Sequence, residues 1–137
     1  MRQINYIIIH CSATKSGQNF HASDIDRWHR ERGWDGIGYH RVIDLDGIIE
    51  KGRDVSKPGA HCKGHNSDSI GICYIGGLDK NGNPADTRTA AQKESLLEII
   101  KHYKKLYPNA KVVGHRDMPN VHKACPCFNA KEEYKNI

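Results

Sequence analysis

Two periods of apolar residues alternate along this chain, and the switch from one to the other marks its elements. Residues 4–9 are mostly apolar, with β-branched isoleucine at Ile4, Ile7, Ile8 and Ile9, which predicts a strand buried on both faces. His10 stands at its C-terminal end; Cys11, the next residue, should point to the opposite face. A helical period follows over 24–32, with Ser23 as the expected N-cap, Ile25, Trp28 and His29 inward, and Gly33 as the stop. Period two returns in Tyr39–Asp44, turns at Asp46-Gly47 and runs back through Ile48–Glu50, an antiparallel hairpin. Ser69–Ile75 is a further strand, and Leu78–Asp86 a surface loop. Thr89 and Gln92 form a capping box at the start of a helix that ends near Leu106. Its apolar stripe is expected at Leu96, Leu97, Ile100, Tyr103 and Tyr107. Lys111–Val113 is a short strand, and 129–136 a short terminal helix. This order predicts an α/β fold: a single domain, 1–137, with a mixed central sheet flanked by helices.

Composition narrows the class. No apolar run approaches the roughly 20 residues of a membrane-spanning helix. The first apolar run ends at His10 and Cys11, so a secretory leader is not expected, and synthesis in the cytoplasm is. The net charge is +5, but the basic residues are spread out. That pattern reads as a solvated basic surface with some affinity for polyanions, a bacterial envelope among them; nucleic-acid binding through charge alone is the weaker reading. Five cysteines, an odd count, include no CxxC pair. Reduced thiols are expected, and a closed four-cysteine zinc site is not.

The candidate chemistry joins the two ends of the chain. His10 and His115 both follow strands, and Cys125 lies beside Pro126 in the last third. Two imidazoles and a thiolate are donors that zinc prefers, and three protein ligands with one open position are the mark of a catalytic zinc. An amide or ester hydrolase would also need groups to orient water and hold an oxyanion; Tyr39 and Lys123 are the candidates. There is no HExxH motif. With nine histidines, any one alone is an ordinary core or surface residue. His40 reads as a packing or hydrogen-bonding residue, and Cys127 is an alternative sulfur ligand. Spacing alone leaves the zinc site open.

Several motifs together resemble the type 2 N-acetylmuramoyl-L-alanine amidase family, and within it the small phage lysozyme-amidases. They are Ile7–Thr14, Trp28–Trp34, Gly38-Tyr39-His40, Gly47 with Gly52-Arg53-Asp54, Gly59–Asn66, Ser69–Ile72, Thr89–Gln92 and Lys123–Pro126. The family is shared with animal peptidoglycan recognition proteins, and the segments occur in its order over nearly the whole chain. The resemblance implies a zinc-containing surface cleft and hydrolysis of the amide between N-acetylmuramic acid and L-alanine in peptidoglycan. It implies one zinc ion per chain held by His10, His115 and Cys125, with Tyr39 and Lys123 as the catalytic pair and His61 positioning substrate. A monomer that reaches the cell wall after release, as an endolysin does, is the matching expectation. Some phage relatives also bind an RNA polymerase, and the residues for such a surface are not identifiable here. The residues 118–122 before Lys123 depart from the phage pattern, and Cys127 stands where serine is usual. A recognition module without turnover is the rival; retention of Cys125 disfavours it.

Overall fold

The computed structural model describes residues 2–137; Met1 lies outside the described residues. A five-stranded sheet forms the centre. Its strands are β1 (Tyr6–Cys11), β3 (Arg41–Ile43), β4 (Ile49–Lys51), β5 (Ser69–Tyr74) and β7 (Lys111–Gly114), in the order β4-β3-β5-β1-β7. Only β3 and β4 run antiparallel, so the sheet is mixed as expected. A second, two-stranded parallel sheet joins β2 (Thr14–Lys15) to β6 (Gly77–Leu78), inside what reads in sequence as loop.

β1 lies between β5 and β7, which explains its unbroken apolar run. Ile7, Ile8 and Ile9 are fully buried because both faces of the sheet are covered. Ile7, Ile9 and Cys11 join Ile70, Ile72 and Tyr74 under the long helix α2 (Ala90–Leu106). On the other face Val42 and Cys73 pack with Ile25 of α1 (Ala22–Glu31), and Ile8 with Cys62 and Met118. Truncating one of these isoleucines to alanine would cost about 2–5 kcal/mol. The alternation sends His10 to the face opposite α2.

Two helix details differ from the sequence reading. The N-cap of α1 is His21, not Ser23. Asp24 accepts the His21 N–H at 2.8 Å and Glu50, from β4, accepts the Ala22 N–H at 2.9 Å. These carboxylates satisfy the orphan donors two residues earlier than a serine at 23 would, and Ser23 is left exposed. In α2 the Thr89–Gln92 capping box forms as expected, with bonds of 2.9 and 3.1 Å. Its inward stripe is Gln92, Leu96, Ile99, Ile100 and Tyr103, whereas Leu97 is 37% exposed. Gln92 begins that stripe because its amide donates to the Ile75 carbonyl at the end of the sheet.

The strands are shorter than expected at β3, and the terminal helix α3 spans only Ala130–Glu133. A buried arginine fixes this tail. Arg88 is held between Asp86 and Glu133, with ion-pair distances of 2.9 and 2.7 Å, and its guanidinium sits 3.4 Å over the Phe128 ring. The segment carrying Cys125 is thereby anchored just beyond its last residues. Among the described residues no helix is long and apolar enough to cross a membrane.

Candidate functional site

Register assembles the site. β1 pairs with β7 so that Ile9 lies opposite Gly114; His10 and His115, the next residues of each strand line, then fall side by side. Their rings are 4.4 Å apart. Gly114 leaves room for a third segment, since a Cβ there would sit 2.7 Å from Pro126 Cδ. That segment is tied to the sheet by Arg116 N–H donating to the Cys125 carbonyl at 2.8 Å and Tyr74 O–H donating to the Pro126 carbonyl at 2.6 Å. Cys125 Sγ consequently reaches His10 Nδ1 at 3.8 Å and accepts from the Cys11 backbone N–H at 3.3 Å. One donor atom from each of His10, His115 and Cys125 lies within 4.8 Å of the other two. His10 is buried at the floor, while the other two are half-buried.

The surroundings keep both imidazoles neutral. Burial holds His10 well below its ordinary pKa, helped by His61, His115 and Lys123. Burial and then Lys123 lower His115 as well. Lys123 itself is exposed, two residues before Cys125. The Tyr39 ring is 5.0 Å from that of His10. Burial, then the neighbouring sulfurs, push its hydroxyl well above the ordinary value, so it remains a proton donor at neutral pH.

The other sequence candidates separate. Cys127 faces Cys11, with the sulfurs 3.9 Å apart, and stands outside the cluster. His40 is fully buried and structural: its Nδ1 accepts the Gly71 N–H at 3.0 Å and its Nε2 meets the Lys57 carbonyl at 2.9 Å. His61 lies inside the site, but both of its nitrogens have protein partners: Nδ1 is 2.8 Å from His10 Nε2, and Nε2 is 3.2 Å from Ser69 Oγ. Sequence reading missed Ser69 altogether. Its contact with His61 spans a loop of irregular backbone, and no periodicity encodes it.

The comparisons with known proteins give the family. The profile of the family described as N-acetylmuramoyl-L-alanine amidase matches residues 1–128. The chain belongs to that family. It is therefore an amidase acting on peptidoglycan, at the bond between N-acetylmuramic acid and L-alanine. It is 41% identical to the endolysin of Klebsiella phage KP32 over 130 residues, covering 95% of this chain and 85% of the relative. It is 42% identical to the endolysin of Escherichia phage T7 over 125 residues, covering 91% and 82%. Among solved structures, the N-acetylmuramoyl-L-alanine amidase LysC from Clostridium intestinale aligns with a TM-score of 0.80 and 30% identity over 96% of this chain and 82% of that one.

Proposed function

We propose that this amidase is a zinc enzyme whose metal is held by His10, His115 and Cys125, and that it serves as an endolysin. The observation that carries the reading is the convergence of two neutral imidazoles and one thiol within 4.8 Å. Tetrahedral zinc, with bonds of about 2.0–2.1 Å to nitrogen and 2.3 Å to sulfur, holds its N and S ligands about 3.6 Å apart. The 3.8 Å between His10 Nδ1 and Cys125 Sγ is close to that spacing before any ion draws them together. The donor set therefore fits the group.

Bound there, zinc would supply Lewis acidity, polarising the scissile carbonyl and lowering the pKa of water. The chain's own groups do the rest. Tyr39, protonated and beside His10, orients the attacking water through its hydroxyl. Lys123 brings a positive charge to the open side, where the carbonyl oxygen becomes an oxyanion. The same charge disfavours protonated imidazoles and so keeps the ligand lone pairs available. The basic surface favours the anionic wall, an attraction that weakens as salt rises.

The test is elemental analysis together with digestion of purified peptidoglycan. One zinc per chain and the appearance of new alanine amino termini are expected. Reducing sugar ends without amino termini, or full turnover in a rigorously metal-free chain, would overturn the reading.

A further inference from the structure

A chain of hydrogen bonds behind His10 determines which of its nitrogens carries the proton. It starts at Ser69, the first residue of β5, which is fully buried. The Ser69 hydroxyl has one hydrogen and lies 2.6 Å from the His65 carbonyl oxygen, which can only accept. That hydrogen is committed there. The 3.2 Å contact between Ser69 Oγ and His61 Nε2 must then be donated by His61. Among the described residues no carboxylate pairs with His61, and the groups that reach it electrostatically, His40, His115, Arg2 and Arg53, are all basic. Its two ring partners, a serine hydroxyl and another imidazole, offer no negative charge to hold a second proton, so with Nε2 donating its Nδ1 has a lone pair and no hydrogen. The 2.8 Å contact with His10 Nε2 is consequently donated by His10. With its ring hydrogen placed on Nε2 by that contact, His10 has Nδ1 left to act as the acceptor, and that atom faces Cys125 Sγ at 3.8 Å.

The His61 ring has little freedom to break this order. It lies flat over β5, where a Cβ on Gly71 would come within 2.6 Å of His61 Cδ2. Asn66 Oδ1 accepts the backbone N–H of both His61 and Cys62 at 2.9 Å, which fixes the loop that carries the ring. With both nitrogens engaged inside the protein, His61 presents only carbon to a substrate.

We propose that Ser69 and His61 form a two-step positioning chain that presets His10 as a metal ligand through Nδ1, so that His61 serves the metal centre rather than the substrate. This rests on the metal reading of His10, but half of its test does not. A ligand whose outer N–H is held by a partner enters the metal site already oriented and in the right tautomer, and loss of such a partner typically lowers affinity about 10–100-fold.

The experiment uses the full chain labelled with 15N at histidine. Long-range 1H–15N correlation on the metal-free protein should show His10 protonated at Nε2 and bare at Nδ1. Ser69→Ala, which removes a single oxygen, should mix the two tautomers of His61 and His10. It should weaken zinc binding about tenfold in competition with a chelator and keep a cooperative thermal transition, which shows that the chain measured is folded. Ser69→Thr, which keeps the hydroxyl, should restore the wild-type pattern, and His61→Phe should show the larger loss of zinc affinity. A wild-type His10 protonated at Nδ1 would overturn the proposal. So would a Ser69→Ala protein with unchanged tautomers and zinc affinity but a raised KM, since that result returns His61 to substrate binding. Nε2-protonated His10 in a wild-type chain that takes up no zinc would support the hydrogen-bond order and overturn the metal reading alone.

Discussion

Among the described residues two clusters bring three ligand-type atoms within 4.8 Å of one another: His10 with His115 and Cys125, and His21 with Asp44 and Glu50. By proximity they are equals, and by what else their atoms do they are opposites. In the second cluster the carboxylates are at work in the backbone. Asp44 Oδ1 accepts the N–H groups of Asp46 and Ile48 and so holds the β3–β4 turn, while Glu50 Oε1 accepts the first N–H of α1. Their remaining oxygens lie 3.4 and 3.3 Å from His21 Nδ1, so these atoms too have a partner within the protein. In the first cluster no acidic group is present. Two imidazoles and a sulfur stand together near Lys123. On the reading proposed above, that arrangement is the one that takes the metal. Nearness of donors does not define a metal site: in the second cluster the carboxylate oxygens are taken by three backbone N–H groups, whereas in the first, among the described residues, Cys125 Sγ accepts a single one, from Cys11.

The sharpest way to break this contrast is to remove one donor from each cluster. Cys125→Ser should leave the chain with far less than one zinc per molecule and reduce release of alanine amino termini to background. His21→Ala should retain a full zinc complement and near wild-type turnover. Equal zinc loss in both, measured by elemental analysis, would erase the distinction.

Lys123 tests the next level, because it acts on the first cluster without belonging to it. Lys123→Ala should keep zinc bound and lower kcat about 100-fold, the scale of losing one oxyanion donor. The pH profile supplies a second readout: without that charge the imidazole pKa values should rise, and zinc should dissociate at a higher pH during acid titration. Unchanged turnover would remove Lys123 from the mechanism.

A smaller effect separates the acceptor histidines from His21. His29 and His40 each use Nδ1 to accept a backbone N–H, from Gly38 and Gly71. Burial lowers both to about 4, and His61 to about 3. Their folded pKa values lie below the unfolded value of 6.5, so the stability they carry is present above pH 6.5. It declines as pH falls from there toward 4, while the unfolded chain binds protons that the native chain refuses. Each contributes a slope of about 1.4 kcal/mol per pH unit in that window. Denaturant titrations of the metal-free protein between pH 7 and 5 should show a steep loss of stability, smaller in His40→Gln by that one residue's share once its own lower baseline is subtracted.

These contrasts also mark what was legible in the sequence. The buried run ending at His10, the Thr89–Gln92 cap and the Asp46-Gly47 turn are local patterns, and local patterns predict elements. His10, His115 and Cys125 could be named because each stands at a strand end or beside a proline, and the resemblance to a known family joined them. Neither route reached Ser69, whose part depends on a hydroxyl rotor and a carbonyl four residues away. Neither reached His21 as a helix cap, because histidine is not a favoured cap residue and Glu50, which accepts the next N–H at Ala22, comes from another element. Leu97 was misplaced for a related reason: its exposure follows from Gln92 turning inward to bond the sheet, a tertiary preference that overrides the apolar count.

The smallest effect closes the comparison on the structural side. If the His21 cluster is a cap rather than a metal site, its worth should be that of a half-exposed ionic contact at a helix start. The His21 side chain is 42% exposed, so solvent screens its attraction to Asp44 and Glu50. His21→Ala should therefore cost only about 0.5–1 kcal/mol. Moderate salt should shrink that difference, since salt screens exposed charges. Adding zinc should not enlarge it, whereas a ligand-bearing cluster would gain stability from the metal in wild type alone. Chemical denaturation of wild type and His21→Ala, with and without zinc, on a Cys125→Ser background that removes the first cluster, isolates this term. A zinc-dependent gap between the two proteins on that background would mean that the imidazole and carboxylates at the start of α1 bind metal after all.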